Sequence, residues 1–244
     1  MIEVENLSIA YGHGTRAIAT LEGIAFSVGK GELVSIVGPS GCGKSTLLFA
    51  LDGLITPTEG HIHIDGDEVQ GIRRDVALIL QDAGLLPWKT VRQNAELALR
   101  IQGIADDAGA TLESLGLAGF ESRYPGELSE GMKRRVGIAR ALALHPRVLL
   151  MDEPMANLDS LTRERIQNLI LDLWRRLRFT SVLVTHDIEE ALFLGQRVLV
   201  MTPRPATLTE ILPNPEAGSM DYRGSEEFHA RVQYLRDTLE SEAA

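Results

Sequence analysis

GPSGCGKST, residues 38–46, is the most informative stretch of this chain, and we call it the phosphate loop. It matches the pattern G-x-x-x-x-G-K-[ST], follows the apolar run 33–37 and opens the helical run 45–51. Its glycines let backbone N–H groups converge on a phosphate, and the helix N-terminus adds positive potential. Lys44 is expected to reach the β- and γ-phosphates and Ser45 to supply an oxygen to Mg²⁺. The residues assigned to nucleotide contact are Gly38, Ser40, Gly41, Cys42, Gly43, Lys44, Ser45 and Thr46.

A second apolar run, residues 148–151, ends in two adjacent carboxylates, Asp152 and Glu153. Downstream of a phosphate loop, the aspartate is expected to hold the Mg²⁺ shell. The next carboxylate projects differently, where it can polarise a water molecule aimed at the γ-phosphate. Strands often end in acidic turns, so the pair indicates chemistry only because the phosphate loop precedes it.

Five short apolar runs, each bounded by polar or glycine residues, are typical of buried strands. They are residues 33–37, 76–80, 148–151, 182–184 and 198–201. Helical periodicity lies between several of them, as in residues 166–177, where apolar side chains recur at i, i+3, i+4 and i+7. Strands that alternate with helices predict an α/β fold with a mainly parallel sheet.

Two regions depart from this alternation. Near the N-terminus, period-two patterning predicts an antiparallel β layer, in residues 2–9, 24–28 and 61–64. Residues from about 90 to 145 contain no convincing strand and predict a helical subdomain with three helices, near 90–102, 105–116 and 129–144. The tail, about 203–244, ends in an amphipathic stripe and is expected to dock as a short helix. Residues 1–244 are therefore expected to form a single domain with a helical insertion.

Composition and charge exclude several classes of protein. The 244 residues carry 24 basic and 34 acidic side chains, a net charge of −10, whereas nucleic-acid binders usually show a basic patch. Nucleic acid is therefore not an expected partner, and the basic run 133–135 is expected to make local salt bridges and interface contacts. The lone Cys42 excludes an internal disulfide or a cysteine-based zinc site. His61 and His63 share a strand face and are expected to be solvated.

The order of motifs resembles that of the ATPase subunits of ABC transporters, from Tyr11 to about Met201. Gln81 follows the run 76–80, as the Q-loop glutamine does in that family. Residues 128–132, LSEGM, resemble the signature L-S-G-G-Q. Residues 157–159, NLD, resemble the D-loop, and His186 after the run 182–185 resembles the switch histidine. The resemblance implies an ABC-type P-loop ATPase that uses ATP and Mg²⁺.

The resemblance also implies a homodimeric clamp with two ATP sites. Each ATP would lie between the phosphate loop of one subunit and the signature of the other, where Ser129 and Gly131 contact nucleotide. Glu153 would activate water, His186 would contact the γ-phosphate, and Gln81 would sense metal and water. Mg²⁺ would be held by Ser45, Gln81 and Asp152. Tyr11 matches the aromatic residue that stacks on adenine, and the alternative for it is packing at a strand end.

The signature departs from the commonest form at Glu130 and Met132. A carboxylate beside a triphosphate would repel it. A glutamate in the first helical turn is favoured by the helix dipole if its side chain points away. Both interpretations stay open at this point, and we hypothesise that ATP-driven closure is altered but retained.

Residues 81–94, QDAGLLPWKTVRQN, resemble the same segment in importer ATPases of the nitrate, sulfonate and taurine group. In that group the loop after the glutamine docks a coupling helix of the membrane subunit, and residues 85–88 would form an apolar contact patch. The expected partners are a polytopic permease and a separate solute-binding protein. The expected location is peripheral, at the cytoplasmic face of the inner membrane, because no apolar run reaches the roughly 18 residues of a membrane span and residues 1–5 lack a signal-peptide start. The alternatives are a lipid-trafficking ABC ATPase, a soluble non-transport ABC ATPase, or a regulatory subunit that barely hydrolyses ATP.

Overall fold

The computed structural model describes residues 1–12 and 18–242. The chain divides into two compact units, Met1–Arg73 with Arg178–Ala244, and Arg74–Leu177. The strands of the first unit are β1 (Ile2–Tyr11), β2 (Ile18–Val28), β3 (Leu33–Val37), β4 (Glu59–Ile64), β5 (Asp67–Glu68), β8 (Thr180–Thr185), β9 (Arg197–Met201) and β10 (Leu208–Pro213). Its helices are α1 (Lys44–Leu51), α7 (Ile188–Leu194), α8 (Met220–Arg223) and α9 (Glu226–Glu242). The second unit holds β6 (Val76–Ile79), β7 (Val148–Asp152), α2 (Val91–Ala95), α3 (Leu97–Gln102), α4 (Gly109–Ser114), α5 (Glu130–Leu142) and α6 (Ser160–Leu177).

The N-terminal strands form the antiparallel layer that their alternation predicts. The strand order is β2-β1-β4-β5, and Ile2 lies opposite Val28 on one side and Ile64 on the other. Ile2 and Val4 are buried, while Glu3 and Glu5 face outward. The period-two pattern therefore sets which face of this sheet packs against the protein.

The remaining strands of the first unit lie in the order β10-β9-β3-β8. Strand β3 pairs in parallel with β8 and β9, and every residue of β3 is buried. This confirms the fold class, because a run that is apolar except for Ser35 and buried throughout is typical of a parallel strand covered on both faces. Strand β10, antiparallel to β9, was not predicted from the sequence. Helix α9 follows it and packs against α7.

In the second unit β6 and β7 pair in parallel, and the helices between them differ from the prediction in their lengths. The predicted helix 90–102 divides at Glu96 into α2 and α3, and α3 ends at Gly103 in the left-handed conformation. The predicted helix 105–116 shortens to α4, because Asp107 accepts a hydrogen bond from the Gly109 N–H at 2.6 Å and forms a turn. The third prediction, 129–144, corresponds to α5.

Helix length and hydropathy also bear on membrane insertion. None of the helices within residues 1–12 and 18–242 is both long enough and apolar enough to cross a membrane.

Candidate functional site

The phosphate loop connects β3 to α1 in the first unit. Gly41 and Gly43 have φ values of +77° and +126°, which only glycine adopts without strain. A Cβ atom at Gly43 would lie 2.8 Å from Leu21 Cδ2, so a side chain at this position would collide with β2. Gly43 is therefore required by both conformation and space, and Gly41 by conformation alone, since a Cβ atom there would meet nothing within 4 Å.

Lys44 begins α1 and is only 5% exposed. Its Nζ donates hydrogen bonds to the carbonyl oxygens of Gly38 at 2.8 Å and Pro39 at 2.9 Å, so the ammonium group lies across the loop. A buried cation at a glycine loop that opens a helix has the charge and the donors that a polyphosphate needs. These residues fit a nucleoside triphosphate.

Cys42 lies inside the same loop and is buried. Burial raises the pKa of its thiol, and the Lys44 ammonium is the main opposing influence. The thiol therefore stays neutral and acts as a small packing group.

Tyr11 stands at the end of β1, and its hydroxyl group forms a 3.3 Å hydrogen bond with Thr46 Oγ1. The tyrosine is about half exposed. An exposed ring tied to the phosphate loop fits the prediction that it stacks on adenine, while the hydrogen bond gives it a local packing role as well. The stacking itself stays a prediction.

His186 follows β8 in a turn fixed by three neighbours. Thr185 Oγ1 donates a hydrogen bond to Glu190 Oε2 at 2.5 Å and accepts one from the Asp187 N–H at 3.0 Å. Asp187 Oδ1 in turn caps α7 by accepting from the Glu190 N–H at 3.1 Å. The buried Glu190 was not identified from the sequence, although an Asp followed three residues later by Glu is a capping-box signal that could have indicated it.

In the second unit, the structure brings Gln81 and Glu153 together. Gln81 Nε2 donates a hydrogen bond to Glu153 Oε2 at 3.3 Å. Asp152 is the buried last residue of β7. Glu153 itself has a φ of +43°, a left-handed conformation that costs a non-glycine residue about 1 kcal/mol. Two residues predicted separately as catalytic are therefore neighbours, and one is held in a strained turn.

The signature residues form the start of α5. Ser129 is the N-cap, and its side chain accepts a hydrogen bond from the Met132 N–H at 3.3 Å. The Glu130 carboxylate pairs with Lys133 Nζ at 2.6 Å, one turn along the helix. Of the two interpretations of Glu130, this geometry supports the one in which its charge is directed along the helix and balanced there. The prediction of local salt bridges for the run 133–135 is confirmed for Lys133.

Residues 85–90, the contact loop, are held by one fully buried side chain, Asn94. Its Nδ2 lies within hydrogen-bond distance of the carbonyl oxygens of Leu86 (3.1 Å), Lys89 (2.9 Å) and Thr90 (3.0 Å). Its Oδ1 accepts from the Leu86 N–H at 2.8 Å and from Arg140 Nη2 at 3.0 Å. These bonds hold Trp88 in a position where it is 70% exposed.

A cavity of about 450 Å³ borders the contact loop. Its lining comes from residues 82–85 and Pro87, from Pro125 and Gly126, and from Glu130, Lys133 and Arg134 at the start of α5. The cavity therefore joins the contact loop and the signature helix within one unit.

The predicted site residues divide between the two units. The phosphate loop, Tyr11 and His186 belong to the first, and Gln81, Ser129, Gly131, Asp152 and Glu153 belong to the second. The Mg²⁺ site formed by Ser45, Gln81 and Asp152 stays a prediction. Among the described residues, no three His, Cys, Asp or Glu side chains form a metal-binding group, and the exposed His61 pairs with Glu68 at 2.6 Å.

Comparison with known proteins gives consistent matches over most of the chain. The family profile described as "ABC transporter" matches residues 21–156. A nitrate import ATP-binding protein of Synechocystis sp. is 45% identical over 224 residues, which cover 88% of this chain and 84% of that protein. A taurine import ATP-binding protein of Burkholderia pseudomallei is 44% identical, covering 84% of this chain and 80% of that protein. An aliphatic sulfonates import ATP-binding protein of Bacillus cereus is 40% identical, covering 87% and 86%.

Solved structures match as well. A dimeric ATP-binding cassette in a post-hydrolysis state, bound to ADP and Pi, superimposes with a TM-score of 0.77 at 33% identity. The match covers 87% of this chain and 98% of that one.

Proposed function

The chain belongs to the ABC transporter ATP-binding family, and from that membership we propose that it is the ATP-hydrolysing subunit of a membrane importer for a small solute. The observation that carries the proposal is the 40–45% identity, over more than four fifths of the chain, to import ATP-binding proteins for nitrate, taurine and aliphatic sulfonates. We propose a cargo of that chemical class, a small oxyanion or sulfonate.

Nucleotide binding would begin at the phosphate loop. Lys44 would transfer its ammonium hydrogen bonds from the loop carbonyls to the β- and γ-phosphates, and the first-turn amides of α1 would add donors. Tyr11 would pack against the adenine ring. These groups bind ATP but do not activate water, so their loss should prevent binding altogether.

Water activation would fall to the second unit. The Glu153 carboxylate would accept a proton from the attacking water, and the Gln81 amide, which donates to Glu153, would keep that carboxylate oriented. His186 would donate a hydrogen bond to the γ-phosphate as negative charge builds on it. Its turn is fixed by Thr185, Asp187 and Glu190, so the imidazole would not need to be ordered during the reaction.

The donors assigned to the metal suit a hard cation. Ser45, Asp152 and Gln81 would offer a hydroxyl, a carboxylate and an amide oxygen, which are ligands that Mg²⁺ prefers. Because the hydrogen bond of Gln81 to Glu153 uses Nε2, Oε1 would be left to bind the metal. When bound, Mg²⁺ would neutralise charge on the β- and γ-phosphate oxygens.

Closure would require two copies of the chain. Ser129 is exposed at the start of a 13-residue helix, where its hydroxyl and the nearby amides can meet the γ-phosphate bound to a partner subunit. The dimeric form of the structural neighbour supports this arrangement. We propose a homodimer that encloses two ATP molecules and opens after hydrolysis.

The membrane partner would dock at the contact loop. The exposed Trp88 adjoins the cavity of about 450 Å³, whose lining includes both apolar and charged side chains, and we expect a helix of a permease to dock at this recess. We therefore place the chain peripherally at the cytoplasmic face of the inner membrane, with a separate binding protein supplying the solute.

The test has two arms. The purified chain should hydrolyse ATP in the presence of Mg²⁺, and the tagged chain, isolated from gently solubilised membranes, should bring with it a polytopic permease identifiable by mass spectrometry. The identity of that permease would be the first direct information on cargo. Recovery of ribosomes, of nucleic acid, or of no membrane protein would reject the importer in favour of a soluble ABC ATPase, and a lipid-handling permease would indicate lipid trafficking.

A further inference from the structure

Arg134 is a buried cation whose contacts the proposed function does not yet use. It is 7% exposed and lies one helical turn after Glu130 in α5. Its Nη1 donates to the carbonyl oxygens of Leu80 (3.3 Å) and Gln81, and its Nη2 donates to that of Ala156 at 3.2 Å. One side chain on the signature helix therefore reaches two separate loops.

Each of these two loops contains a residue that forms a hydrogen bond with Glu153. Gln81, whose backbone is held by Arg134, donates its side-chain amide to Glu153 Oε2 at 3.3 Å. Ala156, held by the other arm of the guanidinium, donates its N–H to the Glu153 carbonyl oxygen at 3.1 Å. Arg134 thus braces the strained turn of Glu153 from both sides, once through Gln81 and once through Ala156.

A guanidinium group is suited to this role for a physical reason. Burying a cation is unfavourable, and charge-assisted hydrogen bonds from it to backbone carbonyls offset this cost. The planar fork offers two terminal nitrogens at fixed separation, so Nη1 serves one loop while Nη2 serves the other. A lysine keeps the charge but has a single nitrogen at its end, so it cannot hold both loops in this geometry.

We propose that Arg134 is a positioning residue for ATP hydrolysis, fixing the Gln81–Glu153 pair to the signature helix. The inference rests on the proposed function. Ser129, at the N-terminus of the same helix, would contact the ATP bound by the partner subunit. Seating of α5 against that nucleotide therefore sets the geometry of the water-activating carboxylate in its own subunit, which links the two ATP sites of the dimer.

The test compares Arg134→Lys with Arg135→Lys. The two residues are adjacent on α5, but Arg135 Nη1 donates to the carbonyl oxygen of Leu115, which lies in a different segment from the two loops that Arg134 reaches. With Arg134→Lys, kcat should fall about 10- to 100-fold, because a misplacement of about 1 Å at a reacting group costs that much. The affinity for ATP, measured by fluorescent nucleotide binding, should stay within about twofold, because the phosphate loop is unchanged. Arg135→Lys should keep kcat within about twofold.

Coupling to Gln81 separates positioning from general destabilisation. If Arg134 acts on Glu153 through Gln81 as well as through Ala156, the double variant Arg134→Lys, Gln81→Ala should lose less kcat than the product of the two single losses, since residues of one network are not additive. Three results would each overturn the proposal. They are a kcat loss in the double variant equal to the product of the single losses, an unchanged kcat for Arg134→Lys, and a loss of ATP affinity as large as the loss of kcat. Arg134→Gln, read by the same criteria, replaces Arg134→Lys if thermal unfolding shows that the lysine variant does not fold. An inactive wild-type chain would instead defeat the proposed function.

Discussion

Replacing Asn94 with alanine should release the contact loop and destabilise the second unit. Asn94 lies in α2, is fully buried, and is within hydrogen-bond distance of three carbonyl groups of the contact loop. An alanine leaves the space of the carboxamide group empty and makes none of its hydrogen bonds. Because the side chain is 0% exposed, water cannot take its place unless the loop opens.

The magnitude follows from the contacts. An amide NH₂ group carries two hydrogens, so Nδ2 makes two hydrogen bonds at a time among its three carbonyl neighbours. Oδ1 makes two more, one of them with the charged Arg140. At about 1 kcal/mol for each neutral bond and about 2 for the charged one, the loss is about 5 kcal/mol. For a chain of this size that corresponds to a fall in Tm of about 10–20 °C.

The assay is urea and thermal unfolding followed by circular dichroism, with Asn168→Ala as a matched control. Asn168 lies in α6, and its buried Oδ1 has no hydrogen-bond partner among the described residues. Its replacement should therefore change the free energy of unfolding by less than about 1 kcal/mol or stabilise the protein. If Asn94→Ala costs no more than Asn168→Ala, the hydrogen bonds of Asn94 do not hold the contact loop. Asn94→Ala should also reduce recovery of the permease with the tagged chain.

Three further outcomes follow from other parts of the molecule. Lys44→Ala should abolish productive ATP binding, whereas Glu153→Gln should keep binding and lose most hydrolysis; equal loss of ATP affinity in both would contradict their separate roles. Glu130→Gly should alter the ATP concentration needed for dimerisation or hydrolysis, and unchanged light-scattering and turnover curves would remove any special role for this carboxylate. Burial raises the pKa of Asp52 to about 6, so the folded state keeps a proton that the unfolded state releases, and stability falls as pH rises from about 4 to 6. Asp52→Asn should therefore stabilise the protein by at most about 3 kcal/mol at pH 7, and this gain should vanish by pH 4 in denaturant titrations.

The sequence predicts those parts of the fold and site that depend on local spacing. The phosphate loop can be predicted because its strand, glycines, lysine and helix are consecutive in the sequence. The carboxylates of residues 152 and 153 can be predicted because they come directly after an apolar run. The N-terminal layer is predicted because burial alternates along β1, with one break where Glu5 and Asn6 are both exposed. In each case the residues that form the sequence pattern are the same short segment that forms the structural feature.

Features that depend on contacts between distant segments were not predictable. In the sequence Arg134 is one member of a basic run. Its role depends on the fold, which brings the carbonyl oxygens of Gln81 and Ala156 to its guanidinium group. From the sequence Glu190 would be an acidic residue in the first turn of α7. In the structure its carboxylate accepts a hydrogen bond from the Thr185 hydroxyl group. Strand β10 was missed because residues 208–213 alternate between half-buried and exposed, which gives a weak signal in a short segment bounded by prolines.

At position 153, the left-handed backbone conformation and the need for a carboxylate favour different amino acids. Folding alone would favour glycine there, since glycine adopts a φ of +43° without cost, whereas turnover requires a carboxylate. A glutamate codon becomes a glycine codon by one base change, so mutational drift and local stability act in the same direction at this position. Only selection for hydrolysis opposes them. A descendant of this chain released from that selection would therefore tend toward a nucleotide-binding subunit that folds well, closes on ATP and no longer turns it over.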